Sequence, residues 1–144
     1  MKAKRVLILC TGNACRSQLA EALWRREAQG GWEVLSAGTA PKGVHPLTLR
    51  VLEEIGVPTR GLRSKHVDEI DLAGLDLVVT VCDSAREACP VLPGSTRTLH
   101  WPFDDPAAAV GSDEEVLAVF RRVRDQIHDR IREFLAEEPF HSGK

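Results

Sequence analysis

The residues Val6-Leu7-Ile8-Leu9-Cys10-Thr11-Gly12-Asn13-Ala14-Cys15-Arg16-Ser17 pass from strand to turn to helix within one short span. The apolar run from Arg5 to Leu9 has no polar residue alternating with it, which predicts a strand buried on both faces. A Gly-containing turn stops it. From Ser17 to Gln29 strong helix formers follow, with Leu19 and Leu23 one turn apart, and Gly30-Gly31 ends the run. Strand, turn and helix form the opening unit of an alternating fold.

The same pattern continues along the chain. Trp32 to Ser36 reads as a second strand, and Pro46 opens a helix in which Leu47, Val51 and Ile55 share a face before Gly56. Leu75 to Val81 is the most apolar later run and is predicted to be a central strand. Asp83 to Cys89 reads as a short helix or turn ended by Pro90, and Thr96 to Trp101 as a fourth strand. Ser112 and Glu115 have capping-box spacing, after which Val116, Val119, Phe120, Val123, Ile127, Ile131 and Leu135 recur at helical period. The charged side of this last helix, with Arg121, Arg122, Arg124, Asp125 and Arg130, reads as a solvated face. The expected fold is α/β: one domain over residues 1–144, built on a four-stranded parallel sheet with helices on both faces. Ligands in such folds sit at the carboxyl ends of the strands.

Composition narrows the function. The 144 residues are 43% hydrophobic and 28% charged, enough for a core and outside the disordered range. Nineteen basic against twenty-one acidic residues leave a net charge of -2, so nucleic acid and anionic membranes are not attracted globally. The first residues carry too short an apolar run for a secretion signal, and no run has the length of a membrane span. A cytoplasmic monomer is expected, where four cysteines point to catalysis, redox exchange or metal binding rather than to a static disulfide framework.

Cys10 and Arg16 are separated by five residues between a strand and a helix, and the small residues among them let the backbone curl. The N–H groups of Thr11, Gly12, Asn13, Ala14, Cys15, Arg16 and Ser17, aided by the positive end of the helix, then form a nest for a tetrahedral oxyanion. Arg16 closes it with a two-pronged contact, and the positive surroundings favour a Cys10 thiolate facing its electrophile. An oxyanion that loses one oxygen needs a proton there. Asp105, held before Pro106 in Trp101-Pro102-Phe103-Asp104-Asp105-Pro106, is the expected acid. Cys15 reads either as packing or as a thiol able to trap oxidised Cys10.

Cys82 follows its strand directly, as Cys10 does, so both emerge at one sheet edge. Neighbouring strands lie about 4.8 Å apart, within the range of disulfide Cα separations. Cys89 lies seven residues beyond Cys82, too far along a helix to bridge without unwinding. Redox pairing, simple packing of Cys82 and Cys89, and a zinc site remain open, although C-x4-C and C-x6-C spacings depart from the usual closed zinc pattern. No cofactor or metal is expected. The five histidines read as surface or capping residues, and Trp24, Trp32 and Trp101 as packing, with Trp101 near enough to the acid loop to shape the site.

Together, Cys10-Thr11-Gly12-Asn13 with Cys15-Arg16-Ser17-Gln18, Ser36-Ala37-Gly38, Val78-Val79-Thr80 before Cys82, Cys89-Pro90 and Asp104-Asp105-Pro106-Ala107 resemble the thioredoxin-coupled arsenate reductases, which share the low-molecular-weight protein tyrosine phosphatase fold. The likeness runs over almost the whole chain. It implies that Cys10 attacks arsenate, Asp105 assists loss of water, and Cys82 attacks the adduct to release arsenite and leave a Cys10–Cys82 disulfide. Cys89 then attacks Cys82, and thioredoxin reduces the resulting Cys82–Cys89 bridge. Phosphate and sulfate would act as analogues, with weak phosphatase activity on the side. Ala14 stands where many members carry Ser. Some members bind potassium with residues corresponding to Asn13, Glu21 and Ser36, but Lys65 replaces an expected acidic ligand, so its ammonium is expected to fill that space.

Two other functions share these features. A low-molecular-weight tyrosine phosphatase would use the same loop and acid with water as the second nucleophile. It would need neither Cys82 nor Cys89, and this chain has no Tyr and carries Ala107 after Pro106. A noncatalytic anion sensor would bind phosphate without turnover, with no use for a placed acid.

Overall fold

The computed structural model describes residues 3–81 and 96–137. The predicted turn over Asp83 to Cys89, and with it Cys82 and Cys89, lies outside the described residues.

Strands β1 (Lys4–Cys10), β2 (Trp32–Gly38), β3 (Leu77–Thr80) and β4 (Arg97–His100) form one parallel sheet in the order β2-β1-β3-β4. Helices α1 (Arg16–Ala28), α2 (Pro46–Glu54) and α3 (Asp113–Glu137) complete it, with single 3-10 turns at Val67–Glu69 and Pro106–Ala108. Val6 to Cys10 and Leu77 to Thr80 are buried at every successive residue. Successive strand residues face opposite sides, so both faces of the sheet centre are covered. The apolar runs predicted this.

Element ends differ from expectation where hydrogen bonding overrides local preference. β2 continues two residues past Ser36 because Ala37 and Gly38 pair with Leu9 and Cys10, although Ala and Gly are weak strand formers. β3 is shorter than Leu75 to Val81, yet Asp76 N–H donates to Arg5 O and Val81 N–H to Leu9 O, so the contacts with β1 outlast the ladder. α1 begins at Arg16 and ends on Gln29 in the left-handed region at φ 49°, one residue before Gly30. The turn at Val67–Glu69 is capped by His66, one of the histidines expected in a surface or capping role.

α3 starts as its capping box predicts: Ser112 N–H donates to Glu115 Oε1 at 2.8 Å and Glu115 N–H to Ser112 Oγ at 3.1 Å. Its stripe, including Phe120, Val123, Ile127 and Ile131, is buried. Trp24, Trp32, Trp101 and Phe134 join α1, β2, the end of β4 and α3 in one aromatic cluster, with Trp24 stacked on Trp101 at 5.8 Å. Trp101 N–H also donates to Thr80 O, which fixes where the segment leading to Asp105 leaves the sheet.

Arg124 is the exception to the solvated face expected for α3. It is only 8% exposed and donates to Val51 O at 2.9 Å and to Glu54 at 3.2 Å, tying α3 to α2. Charge pattern alone does not distinguish a solvated arginine from one reaching a neighbouring helix. Replacing Arg124 by Ala strands a buried carbonyl and is expected to cost about 1–3 kcal/mol in urea unfolding. Arg121→Ala, which removes only an exposed pair with Glu54, should cost clearly less than Arg124→Ala. Equal losses would contradict this assignment.

Candidate active site

The loop between β1 and α1 is held from outside by its carbonyl groups. Thr39 N–H donates to Cys10 O, Ala40 N–H to Thr11 O and Lys42 N–H to Gly12 O. Gln18 Nε2 donates to Asn13 O, and His45 N–H and Thr48 Oγ1 donate to Ala14 O. Ser64 adds a second bond to Gly12 O. All peptide bonds here are trans, so each carbonyl and the next N–H point opposite ways. Turning five carbonyls outward turns the amides of residues 11–15 inward.

Two residues make this curl possible. Asn13 sits in the left-handed region at φ 47°, which Asn tolerates better than most side chains. Gly38 pairs with Cys10 at the end of β2, where a β-carbon would lie 2.4 Å from Thr11 O and 3.0 Å from Asn13 N. The loop occupies the volume that any side chain at position 38 would need.

The sulfur of Cys10 lies at the base of the curl. Asn13 N–H donates to Sγ at 3.1 Å, and Ser17 Oγ lies 2.8 Å away. Ser17 Oγ accepts from Asn13 Nδ2 at 2.8 Å, which leaves its own hydrogen for the sulfur. Asn13 Nδ2 also donates to Ser36 Oγ, and Ser36 donates to Glu21 Oε1. Lys65 N–H donates to Asn13 Oδ1 at 2.9 Å and fixes the amide orientation. A continuous chain of hydrogen bonds therefore runs from the Cys10 sulfur to a buried carboxylate.

Glu21 is clamped by cations. Arg25 Nη2 contacts Oε2 at 2.6 Å, and Lys65 Nζ lies 3.9 Å from Oε1 with its side chain 11% exposed. Burial pulls the Lys65 ammonium below the usual lysine range, while the Glu21 charge works the other way.

A cavity of about 110 Å³ opens above the sulfur, lined by loop residues, Arg16, Lys42, Asp105 and Ala107. α1 starts beside it with no side-chain cap and no acidic residue in its first turn, so the positive end of the helix is left for an anion. Arg16 donates to Phe103 O at 3.1 Å and lies 3.6 Å from Asp105 Oδ2. Asp105 Oδ1 accepts from Ala107 N–H, which braces the carboxyl at the start of the Pro106 turn. Trp101 is buried in the aromatic cluster and is not among the cavity-lining residues.

Cys15 lines the cavity as well but is a different thiol. Burial pushes it up to about 11, opposed by the Thr48 hydrogen bond and reinforced by the Asp105 charge. The structure thus brings together Cys10, Arg16, Asp105 and the loop from Thr11 to Ser17, while Cys82 and Cys89 lie outside the described residues. Gly38 was quoted only as part of the Ser36-Ala37-Gly38 motif, with no role attached, and Lys42 was not singled out from the sequence. Their signal was position alone, since both belong to the strand end and loop that emerge at the edge holding Cys10.

The chain matches the family model of low molecular weight phosphotyrosine protein phosphatases over residues 5–139. It is 46% identical over 134 residues to an arsenate reductase of Halalkalibacterium halodurans, covering 93% of this chain and 96% of that one. An arsenate reductase solved in the phosphate binding state superposes with a TM-score of 0.74 at 30% identity, covering 93% of this chain and 98% of that one. The thioredoxin-dependent arsenate reductase Cg_ArsC1' of Corynebacterium glutamicum superposes at 0.76 and 30% identity, with 99% of this chain and 64% of that one covered.

Two measurements check the site's electrostatics. Alkylation with iodoacetamide near pH 8 should label Cys10 and spare Cys15 in peptide mapping. Cys15 labelling should rise only as the pH approaches its raised value of about 11, and equal labelling at pH 8 would contradict that environment. Replacing sodium by potassium should leave the melting temperature unchanged, since Lys65 already supplies a cation at Glu21. A marked stabilisation by potassium would contradict this.

Proposed function

This chain belongs to the low molecular weight phosphotyrosine protein phosphatase family, and we propose that within it the protein is an arsenate reductase that passes oxidising equivalents through Cys10, Cys82 and Cys89 to thioredoxin. Arsenate enters the cradle of amides with Arg16 on its equatorial oxygens, and Cys10 attacks arsenic. A hydroxyl of the protonated arsenate leaves as water on taking one proton from Asp105, so that its arsenic–oxygen bond is replaced by a sulfur–arsenic bond. The Cys82 thiolate then attacks the Cys10 sulfur. The electron pair of the sulfur–arsenic bond passes to arsenic, which departs as arsenite, and a Cys10–Cys82 disulfide remains. Cys89 displaces Cys10 from Cys82, and thioredoxin supplies two electrons to reopen the Cys82–Cys89 bridge.

The observation that carries this reading is the pairing of β1 with β3. Leu9 lies opposite Thr80, and Val81 N–H donates to Leu9 O at 2.9 Å. Val81, the residue before Cys82, therefore lies beside the strand that ends in Cys10. The high identity to curated arsenate reductases supports the substrate, and the Corynebacterium glutamicum relative supports the reductant.

Phosphate has the same tetrahedral shape, so slow cleavage of aryl phosphates follows from the same cradle. Ala107 at the mouth offers no aromatic wall to hold a substrate ring, which favours the inorganic ion over a tyrosine phosphate.

The test is arsenate-dependent NADPH consumption with thioredoxin and thioredoxin reductase. The unaltered protein should turn over, and Cys10→Ser, Cys82→Ser and Cys89→Ser should each fall to background. Cys82→Ser should keep its aryl phosphate cleavage while Cys10→Ser loses it. Undiminished reduction by Cys82→Ser or Cys89→Ser would overturn the relay.

A further inference from the structure

We propose that Lys42 is a specificity-determining residue of the oxyanion cavity, supplying at its mouth a second cation that selects small inorganic dianions over organic phosphate esters. The proposal deepens the reductase reading and rests on it for its substrate.

Lys42 belongs to the segment that props the loop open from outside. Its N–H donates to Gly12 O at 2.9 Å, two residues after Ala40 donates to Thr11 O. The chain turns away at Gly43, whose φ of 92° suits glycine. The Lys42 stem lies along the loop: Cδ and Cγ are 3.5 and 3.6 Å from where a β-carbon on Gly12 would sit. The side chain lines the same cavity as Cys10, Arg16 and Asp105. Among the described residues its ammonium has no hydrogen bond or ion pair, unlike Lys65, which is engaged with Glu21 and Arg63 O.

Charge balance gives this lysine its role. The Arg16 guanidinium is shared with Asp105 at 3.6 Å, so its positive charge is partly matched before any substrate arrives. Arsenate and phosphate near neutral pH carry between one and two negative charges, and one shared guanidinium plus backbone dipoles leaves their outer charge poorly met. An ammonium tethered at the mouth meets it. An ester places an organic group on the oxygen opposite the sulfur, so the same ammonium faces carbon and gains less. Selectivity thus comes from a cation where a ring-binding site would need an apolar wall.

The experiment compares the unaltered protein with Lys42→Gln and Lys42→Arg. Inorganic phosphate is titrated as a protectant of Cys10 against iodoacetamide, a readout that needs no turnover. Lys42→Gln should weaken protection roughly tenfold and Lys42→Arg should restore most of it, as expected for one charge-assisted contact. Steady-state arsenate reduction should show a matching rise in KM with kcat within about twofold, and a flatter dependence on ionic strength. The kcat/KM for p-nitrophenyl phosphate should fall less than that for arsenate. Unchanged phosphate protection in Lys42→Gln, no protection in the unaltered protein, or a loss carried by kcat would overturn the role of Lys42. If protection weakens as expected but no variant, nor the unaltered protein, reduces arsenate, the reductase reading fails and the cation at the mouth stands.

Discussion

Carbonyl oxygens in the β1–α1 loop cannot be left unpaired in a buried setting, and their pairing decides what the loop can do. Each carbonyl from Cys10 to Ala14 finds its donor outside the curl, from the segment after β2, from Gln18, or from Ser64 and Thr48. Unpaired buried acceptors are expensive, so the arrangement is rigidly specified. Its consequence is a ring of amides with one direction left to face. The cavity is the inner side of a shell in which every loop carbonyl from Cys10 to Ala14 is paired.

That shell explains why the cavity-lining and supporting residues come from distant parts of the chain. β1 delivers Cys10, α1 contributes its bare N-terminus and Arg16, and β2 ends in a glycine so that the loop can lie against it. Glu21 anchors the far end of the hydrogen bonds that reach the sulfur through Ser36, Asn13 and Ser17. Lys65 holds the chain at two points, by its backbone at Asn13 and by its ammonium at Glu21. Such buried polar networks specify geometry only when every member is paired, and this one is paired along its length. The acid loop is aligned by Arg16, which bonds Phe103 O and faces Asp105.

The parts legible in the sequence were those whose chemistry is local. An apolar run, five residues between Cys10 and Arg16, and the reciprocal bonds of Ser112 and Glu115 all act over short separations. Asp105 was read from its place before Pro106, and the resemblance added only an expected order of the thiols. What escaped depends on which distant segments meet. Gly38 stood in a quoted motif, but the reason for it lies in a backbone 25 or more residues earlier, as Thr11 and Asn13 occupy the space of its missing side chain. Arg124 looked like any helix-surface arginine until Val51 and Glu54 were placed beside it. Lys42 carries no motif, and only the fold puts it over Gly12.

The central claim is that an amide cradle holds arsenate against Cys10 while neighbouring thiols carry two electrons away. A single turnover of fully reduced protein with arsenate and no thioredoxin tests it most directly, with arsenite and free thiols counted together. The account predicts one arsenite released per chain, a matching loss of two thiols, and a Cys82–Cys89 bridge in the peptide map. Thiols that stay reduced as arsenite appears, or no arsenite at all from protein whose Cys10 is intact and protected by phosphate, would contradict it.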